Sequence, residues 1–219
     1  MIGIKRYFQA YRDYKKGRIG DAGYMEFKIY GIGTNPDVLE RLQNFGDCYP
    51  DVDVDRLAQL PEGTLGRAYA QHMKKYHIQP LEISSDMAVD ARQNPLALRL
   101  IAVHDIYHAL LEFSTAYSGE AGVFAFKAAQ GYSKAIALLQ PIGLIAIMLM
   151  RPRKIKQTLA DYRRGWALGK QAENILTYRF EDNWDKPIDE VRAELGLVLA
   201  EASVERNDLE KVQSQEAMA

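Results

Sequence analysis

The segment NPLALRLIAVHDIYHALLEF, residues 94–113, decides the fold because its composition and its first two residues predict one long helix. Asn94 is a good N-cap, and Pro95 suits the first helical position, where a missing N–H group costs nothing. The same Asn-Pro pair occurs at residues 35–36, and Thr64 offers another cap. Because such signals recur along the chain, the sequence predicts an all-α fold, a single-domain helical bundle of roughly eight to ten helices.

The predicted domain covers residues 1–200, and its helical pattern has one exception. Residues Met25 to Tyr30 alternate between apolar and polar side chains, which predicts a short strand. Residues 201–219 mix charges, glutamine and alanine without an apolar stripe, so we expect a polar tail that is frayed or disordered. Near the start, Tyr7 to Lys16 predicts a basic helix that suits either an ordinary surface or contact with an anionic membrane.

The second half of the chain contains several further predicted boundaries. A loop is expected from Ser114 to Gly122, and apolar periodicity resumes from Val123 to Leu139. A break at Pro141 separates that helix from a second apolar piece, because proline removes a helical hydrogen bond. Ile155 to about Phe180 predicts a long amphipathic helix, and Pro187 begins the last one.

Composition and charge exclude several classes of function. The chain has 219 residues with 28 basic and 29 acidic side chains, so it lacks the basic excess that is typical of a nucleic-acid-binding protein. Its single cysteine, Cys48, excludes an internal disulfide and the all-cysteine zinc and iron–sulfur sites. Lys5 and Arg6 directly follow Ile4, which leaves no apolar stretch for an export signal. We therefore expect a cytoplasmic protein.

Two histidines in the quoted segment point to a metal ion. His104 and His108 are four residues apart, so in a helix they lie about 40° apart on one face, one turn above the other. Asp105 lies on the flank of that face and offers a carboxylate. The alternative is a buried histidine that is hydrogen-bonded to a carbonyl group, which is the commoner situation for a single residue of this type.

A further carboxylate ligand is available from Glu112 or Glu120. Glu112 lies one more turn along the same helix face. In a straight helix Glu120 would lie about 18 Å beyond His108. The Ser118-Gly119 break allows a tight turn after Phe113, which would bring Glu120 back alongside the helix, at the start of the next one. Two imidazoles with one or two carboxylates suit Zn²⁺, Mn²⁺ or Fe²⁺, and a site dominated by carboxylate and water also accepts Mg²⁺.

An apolar run, Ala135 to Met150, contains sixteen residues without a formal charge. A membrane-spanning helix needs about 20 apolar residues, and Gln140, Pro141 and Gly143 interrupt this run. It therefore predicts either a buried pair of core helices or a segment that lines an apolar tunnel or dips into one leaflet. In the second case a cationic cluster would meet phosphate headgroups just after the run: Arg151, Arg153, Lys154 and Lys156.

Three motifs in the chain carry a family resemblance. The first is His104-Asp105-Ile106-Tyr107-His108, followed after eleven residues by Glu120. The second is PEGTLG at residues 61–66, and the third is formed by Trp184, Pro187, Arg192 and the Leu195-Gly196 pair. Together they resemble the HDxxH(x11)E motif, the PEGTLG segment and the carboxy-terminal pattern of the coenzyme Q biosynthesis protein 4 family. One departure is that residues 99–103 lack the threonine or serine expected before the first histidine.

The resemblance implies a metal-dependent α-helical protein of prenylated-quinone synthesis that associates peripherally with the inner face of a membrane. The family is credited with removing the C1 carboxylate of a polyprenylated hydroxybenzoate, with or without C1 hydroxylation, which makes the expected enzyme a metal-dependent lyase. By carry-over, the metal ligands would be His104, Asp105, His108 and Glu120. Asp105 and His108 would also be catalytic, and Glu112 becomes the weaker candidate. The expected cofactor is one divalent ion, zinc first and magnesium, manganese or iron otherwise.

The same resemblance implies a site for a polyprenyl lipid or a prenylated hydroxybenzoate. A polyprenyl tail needs an apolar channel, because each buried CH₂ gains about 0.8 kcal/mol. Arg67 and Arg99 are candidate partners for its carboxylate or phosphate. The candidate channel wall consists of Leu138, Leu139, Ile142, Leu144, Ile145 and Met148. The other expected partners are the membrane surface, the quinone-biosynthesis enzymes and a second copy of the chain in a homodimer.

Two other functions remain compatible with the residues. The chain would be a non-catalytic lipid-binding scaffold for those enzymes if its ion were structural. It would be a phosphohydrolase with an adjacent His-Asp pair if His72 or His77, together with a later aspartate such as Asp161, converged on His104. A zinc peptidase is less suitable, because its motif requires a glutamate where Asp105 stands.

Overall fold

Ten α-helices are present within residues 19–199, the part of the chain that the computed structural model describes. In chain order they are α1 (Ile19–Tyr30), α2 (Pro36–Gln43), α3 (Val54–Leu57), α4 (Leu65–Lys75), α5 (Ser85–Arg92), α6 (Pro95–Leu111), α7 (Tyr117–Ala129), α8 (Lys134–Met150), α9 (Ile155–Gln171) and α10 (Ile188–Glu194). The described residues contain no strand, so the all-α prediction is confirmed. The predictions for residues 7–16 and 201–219 lie outside the described residues.

Helix α6 lies at the centre of the core. It packs against α1, α2, α4, α5 and α7, which is possible because it is apolar around most of its circumference. Its buried apolar side chains are Leu96, Ala97, Leu100, Ile101, Val103, Ile106, Tyr107, Leu110 and Leu111. Any polar group on α6 is therefore either buried among its neighbours or held at the edge of the core.

The predicted strand at Met25–Tyr30 is wrong, because these residues form the second half of α1. Tyr24 and Phe27, three residues apart, are both buried, and α1 packs on α6. A run of six residues is shorter than two helical turns, so its alternation does not separate a period of two from a period of 3.6.

Two of the three predicted caps form as expected. The Asn35 side chain accepts a hydrogen bond from the backbone N–H of Asp37, and the Thr64 hydroxyl accepts one from that of Arg67. Asn94 precedes α6 without capping it, because its amide donates instead to the carbonyl of Asp90 and the hydroxyl of Tyr24. The start of α6 was therefore predicted correctly, but the bond expected from Asn94 is absent.

The boundaries in the second half differ from the predicted ones. The loop spans residues 112–116, so Ser118 and Gly119 already belong to α7. The next break is a turn at residues 130–133, where Gly131 has φ +69°, and Pro141 lies inside α8. Helix α9 ends at Gln171 rather than near residue 180, and two single turns of 3₁₀-helix follow it.

Helices α7 and α9 approach each other closely because glycines line their contact. A Cβ atom at Gly165 would lie 2.0 Å from the carbonyl oxygen of Gly122, and one at Gly169 would lie 2.6 Å from that of Phe126. Only residues without a side chain permit this backbone approach. The pair holds α7 in place beside α6, and α7 carries one of the candidate metal ligands.

Candidate metal centre

Three predicted ligands meet between α6 and α7. His104 Nε2 lies 3.5 Å from Glu120 Oε2, and His108 Nε2 lies 3.3 Å from Glu120 Oε1. One ligand atom from each of the three residues lies within 4.8 Å of the others. Within residues 19–199 this is the one such group of histidine, cysteine and carboxylate side chains. We call it the His-His-Glu cluster.

The turn between α6 and α7 returns Glu120 to the two histidines. Glu112 adopts the left-handed conformation with φ 55°, and the N–H of Phe113 then bonds the carbonyl of His108. In the first turn of α7, Gly119 lies directly against the loop, where an added Cβ atom would be 1.8 Å from the carbonyl oxygen of Ser114. Because Gly119 packs against the loop, the loop also fixes the position of the next residue, Glu120.

We expect Gly119→Ala to destabilise the fold by about 1–3 kcal/mol, because the new methyl group meets backbone atoms that cannot rotate away. The same displacement moves Glu120 and weakens metal binding. Urea denaturation and a zinc titration measure the two effects. Ser118→Ala in the same helical turn is the matched control, and a Gly119→Ala protein that behaves like it would contradict this account of the turn.

The ring of His108 presents a free nitrogen to the cluster. Its Nδ1 lies 3.3 Å from the carbonyl oxygen of Phe113, and since a carbonyl only accepts, Nδ1 is the donor. In the neutral ring, Nε2 therefore carries the lone pair that faces Glu120. This Nε2 is buried and has no hydrogen-bond partner. A histidine that donates one nitrogen to a carbonyl and offers the other is the usual arrangement of a metal ligand.

The protonation states also suit a cation. Burial, and after it the ammonium of Lys127, lower the pKa of His104 to about 3, so the imidazole is neutral at pH 7. Burial opposes ionisation of Glu120, but His108, His104 and Lys127 outweigh it and lower its pKa to about 2. A neutral imidazole at His104 and an ionised carboxylate at Glu120 are the forms in which these groups bind metal ions, so they fit a divalent cation.

Asp105 lies beside the His-His-Glu cluster and is not a member of it. Its carboxyl group borders a cavity of about 660 Å³, together with Tyr69, Ile101 and Ala102. Burial raises the pKa of Asp105 to about 6, with His108 lowering it and Glu120 raising it. The structure thus places Asp105 at the wall of the cavity and within electrostatic reach of His108 and Glu120, which suits a group that exchanges protons with solvent.

Two further residues lie near the cluster: His72, which was predicted only in the phosphohydrolase alternative, and Lys127, which was not predicted. The ring of His72 on α4 stacks on that of His108, with centroids 5.6 Å apart and planes inclined by 19°. Lys127 on α7 is buried, with its ammonium 5.1 Å from the ring centroid of Phe27. One sequence signal could have indicated that His72 is buried: it lies three residues after Tyr69, and both residues occupy the buried face of α4.

The other residues of the phosphohydrolase alternative do not join the cluster. His77 is exposed just beyond α4 and has φ 54°. Asp161 is buried in α9 and accepts hydrogen bonds from Gln157. Of that proposed set, His72 alone is in ring contact with a histidine of the cluster, His108.

The two predicted anion-binding arginines are engaged within the fold. Arg67 bonds Glu62 through Nε and Nη2, at 3.2 and 3.0 Å. Arg99 is 1% exposed and donates to the backbone carbonyls of Leu176 and Tyr178 and to the carboxylate of Glu181. The described structure therefore gives the Arg99 guanidinium a role in holding the 176–181 segment and leaves it no surface for a ligand.

Helix α8 is largely exposed, which corrects the alternative of a buried core pair for residues 135–150. Of its residues only Ile136 and Gln140 are buried. Among the six predicted wall residues, Leu138, Ile142 and Ile145 are more than half exposed, and Leu139, Leu144 and Met148 are partly buried. No single described helix is long and apolar enough to span a membrane, although α8 with Pro152–Gln171, bent by 110°, passes that test as a pair.

Comparisons with known proteins agree with the motifs. Residues 49–201 match the family model described as coenzyme Q (ubiquinone) biosynthesis protein Coq4. The chain is 30% identical over 154 residues to the mitochondrial ubiquinone biosynthesis protein COQ4 homologue of Drosophila pseudoobscura, covering 68% of this chain and 55% of that protein. It is 32% identical over 170 residues to COQ4 of Eremothecium gossypii, covering 75% and 50%. The chain thus spans about half the length of these curated relatives.

A solved structure extends the comparison to the fold. A Nostoc punctiforme protein assigned to ubiquinone biosynthesis superposes with a TM-score of 0.60 at 25% sequence identity. The match covers 88% of this chain and 95% of the other. The two proteins therefore share their overall helical fold.

Proposed function

The chain belongs to the Coq4 family of coenzyme Q (ubiquinone) biosynthesis proteins, and on that premise we propose that it acts in ubiquinone synthesis as a metal-dependent decarboxylase. Its substrate would be a polyprenylated hydroxybenzoate that loses its C1 carboxylate. The observation that carries this proposal is the His-His-Glu cluster, with a buried, unpartnered Nε2 on His108 facing the carboxylate of Glu120.

The cluster provides three donors and leaves coordination positions for a substrate. His104, His108 and Glu120 would hold one divalent ion, zinc by its ligand preference, with magnesium, manganese or iron as alternatives. When bound, such an ion supplies a positive charge that binds a carboxylate and withdraws electrons from the attached ring. The ammonium of Lys127, which acts electrostatically on His104 and Glu120, adds a second positive charge on the same side.

Asp105 would supply the proton that the reaction consumes. In the decarboxylation, the bond between C1 and the carboxylate breaks, carbon dioxide leaves, and a proton takes its place on C1. The carboxyl group of Asp105 borders both the cluster and the 660 Å³ cavity, so it is placed to deliver this proton and to recover one from solvent. The balance requires no oxidant; a version with C1 hydroxylation would additionally require dioxygen and a two-electron reductant, with the second oxygen atom leaving as water.

The exposed face of α8 favours a membrane as the source of the substrate. Leu138, Ile142, Ile145 and Leu149 follow one another at helical spacing, and each is more than half exposed. The exposed basic cluster Arg151, Arg153, Lys154 and Lys156 follows directly after α8. We assign this surface to the cytoplasmic face of an anionic membrane, where a prenyl tail and the other quinone-biosynthesis enzymes are reached.

The decarboxylase proposal predicts carbon dioxide release from a carboxyl-labelled prenyl-hydroxybenzoate by protein loaded with a divalent ion. Protein stripped by a chelator, and the His108→Ala variant, are expected to release carbon dioxide at least about 100-fold more slowly, because both lack the charge at the carboxylate. Circular dichroism checks that each remains folded. If no divalent ion, with or without dioxygen, supports turnover while the prenyl lipid still binds, the chain is a non-catalytic lipid-binding scaffold.

A further inference from the structure

His72 is the buried polar side chain beside the cluster that neither the metal nor the fold accounts for. The residue is 9% exposed, and its Nε2 atom is buried without any hydrogen-bond partner. Its ring lies between that of His108, 5.6 Å away, and that of Tyr76, 4.9 Å away. An apolar ring would fill this place without burying an unpaired nitrogen, so packing alone gives no reason for a histidine here.

The position of His72 suits a residue that contacts the metal ligands, or a molecule bound to the ion, and does not bind the ion directly. It is not among the residues whose ligand atoms lie within 4.8 Å of one another, so the described geometry does not make it a ligand. It is nevertheless close enough to interact electrostatically with His104, His108 and Glu120. A side chain in this place is therefore a candidate to contact a molecule bound to the ion.

We propose that His72 is a ligand-binding residue of this centre, whose Nε2 hydrogen-bonds an oxygen of the molecule that occupies the open position on the ion. That oxygen belongs to a carboxylate or to water. This inference rests on the proposed function, because it requires an ion at the His-His-Glu cluster. It goes further by assigning a fourth side chain, from a different helix, to recognition of the bound carboxylate.

Cobalt-loaded protein tests the role of His72 without any activity measurement. Co²⁺ binding and the subsequent binding of 4-hydroxybenzoate are both followed by visible absorption. His72→Phe keeps a flat ring against His108, so Co²⁺ affinity should stay within about threefold, while 4-hydroxybenzoate should bind about tenfold more weakly. His72→Gln, which restores a hydrogen-bonding group, should recover part of that loss. His77→Asn, on an exposed histidine beyond the same helix, is the control.

The outcomes separate this inference from the decarboxylase proposal. Equal binding of 4-hydroxybenzoate by the wild type and His72→Phe would overturn the inference and leave the metal centre intact. A parallel fall in Co²⁺ affinity would also overturn it, because His72 would then act on the ion or on the fold. Failure of the wild type to bind Co²⁺ would overturn both. If His72→Phe does not fold, the comparison of His72→Gln with the wild type decides: weaker 4-hydroxybenzoate binding, by less than about tenfold, at unchanged Co²⁺ affinity supports the inference, and binding equal to that of the wild type overturns it.

Discussion

Glu120→Gln is expected to lower the affinity for Zn²⁺ by at least about 100-fold. Losing a residue that only hydrogen-bonds a metal ligand typically lowers metal affinity by about 10–100-fold, and the loss of a ligand should cost more. Glutamine has the same length, but it removes the one negative charge that the His-His-Glu cluster offers to a doubly charged ion. Its amide also places a donor where His104 and His108 present their nitrogens, 3.5 and 3.3 Å from the carboxylate oxygens. Competition with a chromophoric chelator measures the affinity, and elemental analysis measures the metal content of the purified protein.

Glu112→Gln is a matched control for this experiment. Glu112 lies on the turn between α6 and α7, is largely exposed, and pairs with Arg192 at 2.9 Å. The same chemical change eight residues away should leave zinc affinity within about twofold, because surface ion pairs contribute little. Equal losses in the two variants would indicate a general effect of charge, and unchanged affinity in Glu120→Gln would remove Glu120 from the cluster.

Local structure predicted the two histidines of this cluster, but it left Glu112 and Glu120 open as the carboxylate, and the family resemblance favoured Glu120. The spacing of His104 and His108 fixes their common face once α6 is a helix, and the return of Glu120 requires only a short turn. The turn expected after Phe113 is present at residues 112–116, but the helix break expected at Ser118-Gly119 is absent. The left-handed residue of the turn is Glu112, and a glutamate gives no signal for that conformation. Gly119 does serve the turn, but through close approach to the loop rather than by breaking a helix.

Other features could not be predicted because they depend on which helices pack together, and a single sequence does not show this. His72 comes from α4 and Phe27 from α1, so their approach to α6 required knowledge of which helices are neighbours. The exposure of α8 could not be predicted either, because a run of uncharged residues is as typical of a buried helix as of a membrane-contacting one. Arg99 was predicted as a substrate partner from its charge alone, whereas it lies inside the core and bonds backbone carbonyls.

The double change Leu138→Asp and Leu149→Asp is expected to reduce binding to vesicles of phosphatidylcholine with phosphatidylglycerol by about 100-fold. The two leucines are eleven residues apart, so they lie within about 20° of each other on α8, and both are more than 70% exposed. Each would lose about 1.5 kcal/mol of apolar burial in the lipid, and each new carboxylate is repelled by anionic headgroups. Vesicle co-sedimentation measures the binding.

Stability should remain nearly unchanged in this double variant, because both side chains are already in water and contribute little to the core. Unchanged stability would show that the two leucines act in membrane contact and not in holding the fold together. Urea denaturation measures the stability. Val89→Asp provides the control, since Val89 on α5 is 70% exposed but lies outside the apolar face of α8. If Val89→Asp weakens vesicle binding as much as the double change, or if the double variant binds like the wild type, α8 is not the membrane-contacting surface.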